Sequence, residues 1–256
     1  MGTGIAGLAL GAVLALTGYA AFSGDDSDSA GAAKGASPSA SASGAATPTE
    51  TYAPPKDWTD PVRWAALPRG QNTDKFGSQV GFPHTLEGAA AMMAAANNTA
   101  IGEGKTAVDE QTRIYNSYVS VRDYSAVNAE RVKQKAQETE RQLAQEMGGP
   151  GQKSLPAGAY MRSVTIGFKV LKKSDDEVSA WVLSRVVRRD GETAKETSGY
   201  TRRIAVAQWV DGDWKMTADA TSRALEDVQG KDEPTMAAPG DPAFNVAGWT
   251  AIRAAS

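Results

Sequence analysis

The spacing of hydrophobic positions changes along the chain, and each change predicts a different element. From Ile5 to Phe22 the residues are apolar or small and uncharged, a run of about 18 that reaches the lower limit for a helix crossing a bilayer. Ser23 to Lys56 then carries no branched aliphatic residue, so residues 23–56 cannot bury enough apolar surface to offset their ordering entropy and are expected to form a disordered tether. Such a tether reaches on the order of 30 Å. In residues 57–84 Trp58, Pro61, Trp64, Leu67, Pro68 and Phe76 follow no period, which predicts an extended arm that inserts aromatic side chains into the domain. Thr85 is a plausible N-cap for a helix through Ala89 to Ala96, stopped by Gly102 and Gly104. A second helix is predicted from about Thr106, with Ile114, Tyr118, Val121, Tyr124 or Ser125, Val132, Ala136, Leu143 and Met147 on one face. Its opposite face, Glu130 to Arg141, is charged and reads as solvated, and Gly148 to Gly151 end it.

From Met161 the period becomes 2. Val164, Ile166, Phe168 and Val170 predict one face of a first strand. In a second strand Val178, Ala180, Val182, Ser184 and Val186 share a face, with Trp181, Leu183 and Val187 behind. Tyr200, Ile204, Val206 and Val210 mark a third strand, and Trp214, Met216 and Ala218 a fourth. Asp190-Gly191 and Asp211-Gly212 are turn pairs able to take positive φ, and Trp209 to Trp214 reads as a hairpin. The fold class expected is α+β: an N-terminal transmembrane helix (1–22), the tether (23–56), the arm (57–84), and an α+β domain (85–219) with helices on one face of a curved antiparallel sheet of about four strands. Residues 220–256 are expected to be a polar linker and a tail that docks through Phe244 and Trp249.

Charge and composition narrow the function. The acidic flank Gly24 to Asp28 places the segment after the apolar run on the exported side, so the chain is expected at the cell membrane, single-pass, with its C-terminal domain outside the cytoplasm. A signal peptide cut after Gly18-Tyr19-Ala20 is the competing reading and gives the same location. The formal charge of -3 includes Asp25, Asp26, Asp28 and Glu50, which leaves the domain near neutral and argues against nucleic acid as a partner. The absence of cysteine excludes disulfides, thiolate metal sites and a cysteine nucleophile.

Two helices followed by four antiparallel strands, closing on the W-x-D-G-x-W hairpin of Trp209 to Trp214, resemble the cone-shaped nuclear-transport-factor-like superfamily. An anchor, a tether and one such domain look like the extracytoplasmic assembly subunits of conjugative and type IV secretion machines. Gly81 to Ala89 with Gly248-Trp249 are similar to an uncharacterised family of actinobacterial membrane proteins often found with mobile elements. The resemblance spans Trp58 to Trp249 and implies a membrane-anchored scaffold that binds other envelope or secretion-complex proteins, or itself. The alternative it allows is a small-molecule-binding domain or enzyme using the cavity of the cone.

The residues offer little catalysis. His84 is the sole histidine, and its expected role is capping or packing. Asp123 beside Tyr124 is the nearest candidate for an acid in the cone, with a helix-surface ion as the simpler reading. No catalytic, cofactor-binding or metal-binding residue is assigned, and no cofactor is expected. The strand cations Arg185, Arg188 and Arg202, with Trp181 and Trp209 among them, form the expected interaction surface. A reporter enzyme fused after Ser256 should be active only outside the cytoplasm; cytoplasmic activity would overturn the orientation read from the acidic flank.

Overall fold

The computed structural model describes residues 57–254; the apolar run 5–22 and the tether 23–56 lie outside the described residues. Among the described residues no helix is long and apolar enough to cross a membrane. The strands are β1 Trp64–Leu67, β2 Asn72–Thr73, β3 Gln79–Val80, β4 Thr99–Ile101, β5 Tyr160–Lys173, β6 Glu177–Arg189, β7 Thr197–Val210, β8 Asp213–Lys215 and β9 Thr250–Ala254. The helices are α1 Leu86–Asn97, α2 Ala107–Tyr118, α3 Ala126–Gly148, α4 Ala218–Val228 and α5 Pro242–Val246. The class is α+β, with the helices packed on a strongly curled half-barrel sheet.

The meander β5-β6-β7-β8 forms one side of the sheet, and the other grows from the free edge of β5. That edge is shared. β4 pairs with Met161 to Ser163, β9 pairs with Gly167 and Phe168, and the gap between them is filled by Asn98, whose Oδ1 accepts from Thr165 N at 2.7 Å. β1 then adds in parallel to β9, so the sheet has seven strands, not about four, and part of the expected arm is a strand. β2 and β3 form a separate hairpin. Trp58, Trp64 and Phe76 remain exposed, so the arm contributes Ala65, Leu67 and Phe82 to the core instead of its tryptophans.

Strand alternation sorts β6 and β7 onto two cores. Val178, Ala180, Val182, Ala205 and Ala207 face α1 on the concave side with Phe168 and Trp214; Trp181, Leu183, Ile204 and Val206 face α4 and the tail on the convex side. Helices therefore cover both faces, not one. The expected linker begins with α4, capped by Thr217, whose hydroxyl accepts from Ala220 N, and α4 buries Ala220 and Ala224. Ala218, expected on a strand, is its first residue. Phe244 and Trp249 are fully buried in the convex core, and Trp249 Nε1 donates to Thr235 O at 2.8 Å. On β5 a bulge between Thr165 and Gly167 splits the expected face: Val164 is exposed, Ile166 joins the convex core, and Phe168 and Val170 face the concave one.

The single second helix is two. Between α2 and α3 the chain pairs Val119 with Met216, makes a 3-10 turn at Val121–Asp123, and restarts at Ser125, whose hydroxyl accepts from Asn128 N at 3.0 Å. Tyr124 stacks near Tyr115 with its hydroxyl 2.7 Å from Asn116 Oδ1, and burial pushes that hydroxyl up to about 12. Asp211 and Gly212 both take positive φ, as the tight hairpin requires. Asp190-Gly191 does not; β6 and β7 are joined by a longer loop that Arg189 closes by donating to Ala194 O.

α1 is the centre of the concave core. Thr85 caps it by accepting from Gly88 N at 3.1 Å, and its Ala and Met side chains are buried against strands on both sides. The chain enters it by folding back on itself, so a Cβ at Gly88 would lie 1.9 Å from Pro83 O. In a free helix Gly88→Ala would stabilise by roughly 0.5–1 kcal/mol. Here the clash should dominate and lower stability by about 1–3 kcal/mol in urea denaturation; an unchanged or raised midpoint would show that the Pro83 turn moves aside.

Candidate functional site

The expected interaction surface is not one surface. Register with β6 places Arg202 opposite Leu183 on the convex side, where it pairs with Glu233, while Trp181 is buried in that core. Arg185 lies opposite Tyr200 on the same side, half-buried. Arg188 is buried on the other side and is held by Glu146 of α3 at 3.0 Å and Asp190 at 2.5 Å. Trp209 packs on the concave core. The alternation that separated the two cores also separates these residues. Arg203, next to Arg202, faces the concave side opposite Val182; its Nε is buried, and desolvation lowers the guanidinium to about 10 although part of the residue stays exposed. The concave side is thus not purely apolar: besides Ser184, which the alternation placed there, it carries Arg203 and the buried Ser163, Thr165 and Thr201.

The two motifs singled out in the sequence meet at one end of α1. His84 stacks on Trp209 at 4.0 Å with 9° between planes, meets Trp214 edge-on at 5.4 Å, and the two tryptophans are themselves edge-to-face at 5.3 Å. Trp214 Nε1 donates to Pro83 O at 2.8 Å, which fixes the turn before the histidine. His84 Nε2 lies 2.9 Å from Asp175 O and 3.0 Å from Asp176 Oδ1 in the β5–β6 turn. A cleft of about 500 Å³ opens here, lined by His84, Thr85, Leu86, Lys173, Ser174 and Trp214. Its hydroxyls are engaged, Thr85 in capping α1 and Ser174 with Glu177. The arrangement ties three segments together. It gives the histidine a carboxylate partner and an aromatic face, but no activated nucleophile within reach among the described residues. Asp123 is a cap, its Oδ2 accepting from Ala218 N at 3.0 Å at the start of α4.

A second constellation, absent from the sequence reading, surrounds Glu110. This carboxylate is 1 % exposed yet accepts from Ala100 N at 3.2 Å, Lys105 Nζ at 2.6 Å and Arg113 Nε at 2.7 Å. Arg113 spans outward from it, donating to Ser78 Oγ at 2.9 Å and to Asn98 O at 3.0 Å, so one ion-pair network joins α2, β4, the β2–β3 hairpin and the end of α1. The network borders a cleft of about 420 Å³ that also touches Tyr118, Arg162, Ser163 and Val164. The signal for it was available: Thr106-x-x-Asp109 is a capping box that fixes where α2 begins, and Glu110 and Arg113 then stand three apart. Among the described residues no three His, Asp or Glu side chains gather as a metal site.

No protein-family model, curated protein or solved structure matches the chain.

The capping box holds Glu110 in register, and its Asp109 responds to pH. The Thr106 backbone N–H and hydroxyl, at 2.9 Å and 2.8 Å, hold the Asp109 carboxyl below its ordinary value of 3.8. A lowered carboxyl contributes its stabilisation in full above 3.8 and loses it as pH falls through the folded value. Asp109→Ala should therefore cost about 1 kcal/mol at neutral pH in denaturant titrations, and the two proteins should converge as pH falls below 3.8 and through the folded value. A gap that persists in acid would place the effect outside the ionised cap.

Proposed function

We propose that the chain is a non-catalytic, membrane-anchored extracytoplasmic scaffold or assembly protein of an envelope complex, such as a conjugative transfer apparatus. It is held at the membrane by residues 5–22. The observation that carries this reading is an exposed apolar set along the open edge of the sheet. Trp58, Val62, Trp64 and Val246 are 55 %, 81 %, 45 % and 89 % exposed. Val62 N donates to Asn245 Oδ1 at 2.9 Å, and Asn245 Nδ2 donates to Asp60 O, which brings the two stretches side by side. β1 is the terminal strand, and since Ala251 N bonds Arg63 O, the backbone groups of Trp64 and Ala66 point away from β9. An edge whose backbone groups find no partner strand among the described residues, with flanking tryptophans, suits an extended segment of another protein, added as a further strand.

This surface replaces the strand cations as the proposed contact. Reading the concave face as a ligand cavity is less well supported, because α1 fills it with Ala89, Met92 and Met93.

A photo-crosslinking amino acid placed at position 62 or 64 of the full chain should form adducts with another envelope protein in intact cells. The same probe at Val127, exposed on α3, should not. The Val62→Lys, Trp64→Lys double variant should keep its stability within about 0.5 kcal/mol and lose both adduct and biological activity. Equal labelling at 127, or activity that survives the double variant but is lost in His84→Ala, would overturn the scaffold reading. Adducts formed only between copies of the chain would replace the partner by self-association.

A further inference from the structure

The cleft beside Glu110 has the chemistry of a ligand site, and its case does not depend on the scaffold reading. Three cationic side chains, Lys105, Arg113 and Arg162, border it against one carboxylate, Glu110. Arg113 is consumed: it donates to Glu110, Ser78 and Asn98 O, and in doing so neutralises the carbonyl end of α1, which would otherwise repel an anion. The other two cations are not. Lys105 gives one contact to Glu110 and is about half exposed, which leaves an ammonium with donors to spare. Arg162 is exposed, makes no ion pair among the described residues, and lies over the Tyr160 ring with its guanidinium carbon 4.6 Å from the centroid.

Shape adds to charge. Ser163 borders the cleft, but its side chain is buried on the face of β5 opposite Arg162 and Val164, so the cations alone supply the donors. Around these polar groups Ala95, Ala100 and the exposed Val164 supply an apolar wall, and about 420 Å³ falls in the range of small-molecule sites and well above that of a single ion.

We propose that the cleft between the β2–β3 hairpin, α2 and β5 binds a small organic anion, its carboxylate or phosphate held by Lys105 and Arg162. The buried Glu110–Arg113 pair acts as the rigid floor that keeps Lys105 in place. The carboxylate of Glu110 is already engaged by Lys105 and Arg113, so it offsets part of the positive charge that faces a ligand.

Titration calorimetry on the full chain, at constant ionic strength, with succinate and separately with phosphoglycerate as probes, tests this. Saturable one-to-one binding of either probe is expected, and the tighter one identifies the head group. Arg162→Glu, a change at an exposed position that should not affect folding, should weaken binding about tenfold or more. Lys135→Glu, on the solvated face of α3, should leave it unchanged. No saturable heat with either probe, or affinity equal in wild type and Arg162→Glu, would overturn the proposal. Neither result bears on the β1 edge, so this site and the scaffold reading fail separately.

Discussion

A strongly curled sheet must fill its concave side, and here one helix does so with side chains that are nearly all small. α1 offers Gly88 and a run of alanines with Met92 and Met93 between them, so its backbone approaches β5, β6, β7 and β1 closely enough to bury nine of its twelve residues. Alanine supplies helix propensity without bulk, and methionine adapts to the irregular gaps a curved surface leaves. Because the helix lies so deep, its two ends emerge at opposite rims of the half-barrel, and each end is where the chain places polar chemistry. The N-terminal end carries Thr85 and His84 against the two hairpin tryptophans; the C-terminal end carries Asn97 and Asn98, tied to Met93 O and to Thr165 N. Filling the interior moves any recognition to the rim.

The same logic governs β5. A long strand next to a curled sheet's closing edge cannot keep one neighbour along its whole length, and two register shifts divide it into segments that face different partners. Gly167 sits at the division: a Cβ there would stand 3.1 Å from Thr250 O and 3.2 Å from the Phe244 ring, so a larger residue would press β9 and α5 outward by a few tenths of an ångström. With β9 in place, β1 adds in parallel, and the sheet ends on a short edge with tryptophans beside it. The two proposed contact sites, the open edge and the Arg162 cleft, thus descend from one bulged strand.

Much of this was legible in residue pattern. The alternation of Val178 to Val186 against Trp181 and Leu183 assigned both faces of β6 correctly, because an uninterrupted strand between two others keeps its period. β5 broke that rule at its bulge, which leaves no local mark beyond Gly167. The parallel β1–β9 pair joins residues almost two hundred positions apart and no local pattern encodes it. α4 was legible and was passed over: Ala220, Ala224 and Val228 recur at helical spacing against Asp219, Arg223 and Asp227, but Ala218 was assigned to the preceding strand and the residues from 220 on to a linker. The cations were misread for a different reason. A charged residue in a strand looks exposed until its partner is known, and Glu146, Glu233 and Asp190 come from distant segments or from the turn itself.

Glu110 shows the converse. Taken alone in sequence it is one more acid near a helix start, where the dipole favours it. Folding removes it from water, and a buried carboxylate survives only where cations and N–H groups converge on it. The cations must therefore be recruited from the surroundings, and Lys105 and Arg113 arrive from either side of it on one short stretch of chain, while Ala100 N completes the set from β4. Having gathered positive charge to hold its own carboxylate, the cleft is left with a cationic rim at Lys105 and Arg162. An anion-attracting surface is then a consequence of stabilising a buried acid, and the step from a structural network to a binding site is the small one of leaving Arg162 without an ion-pair partner among the described residues.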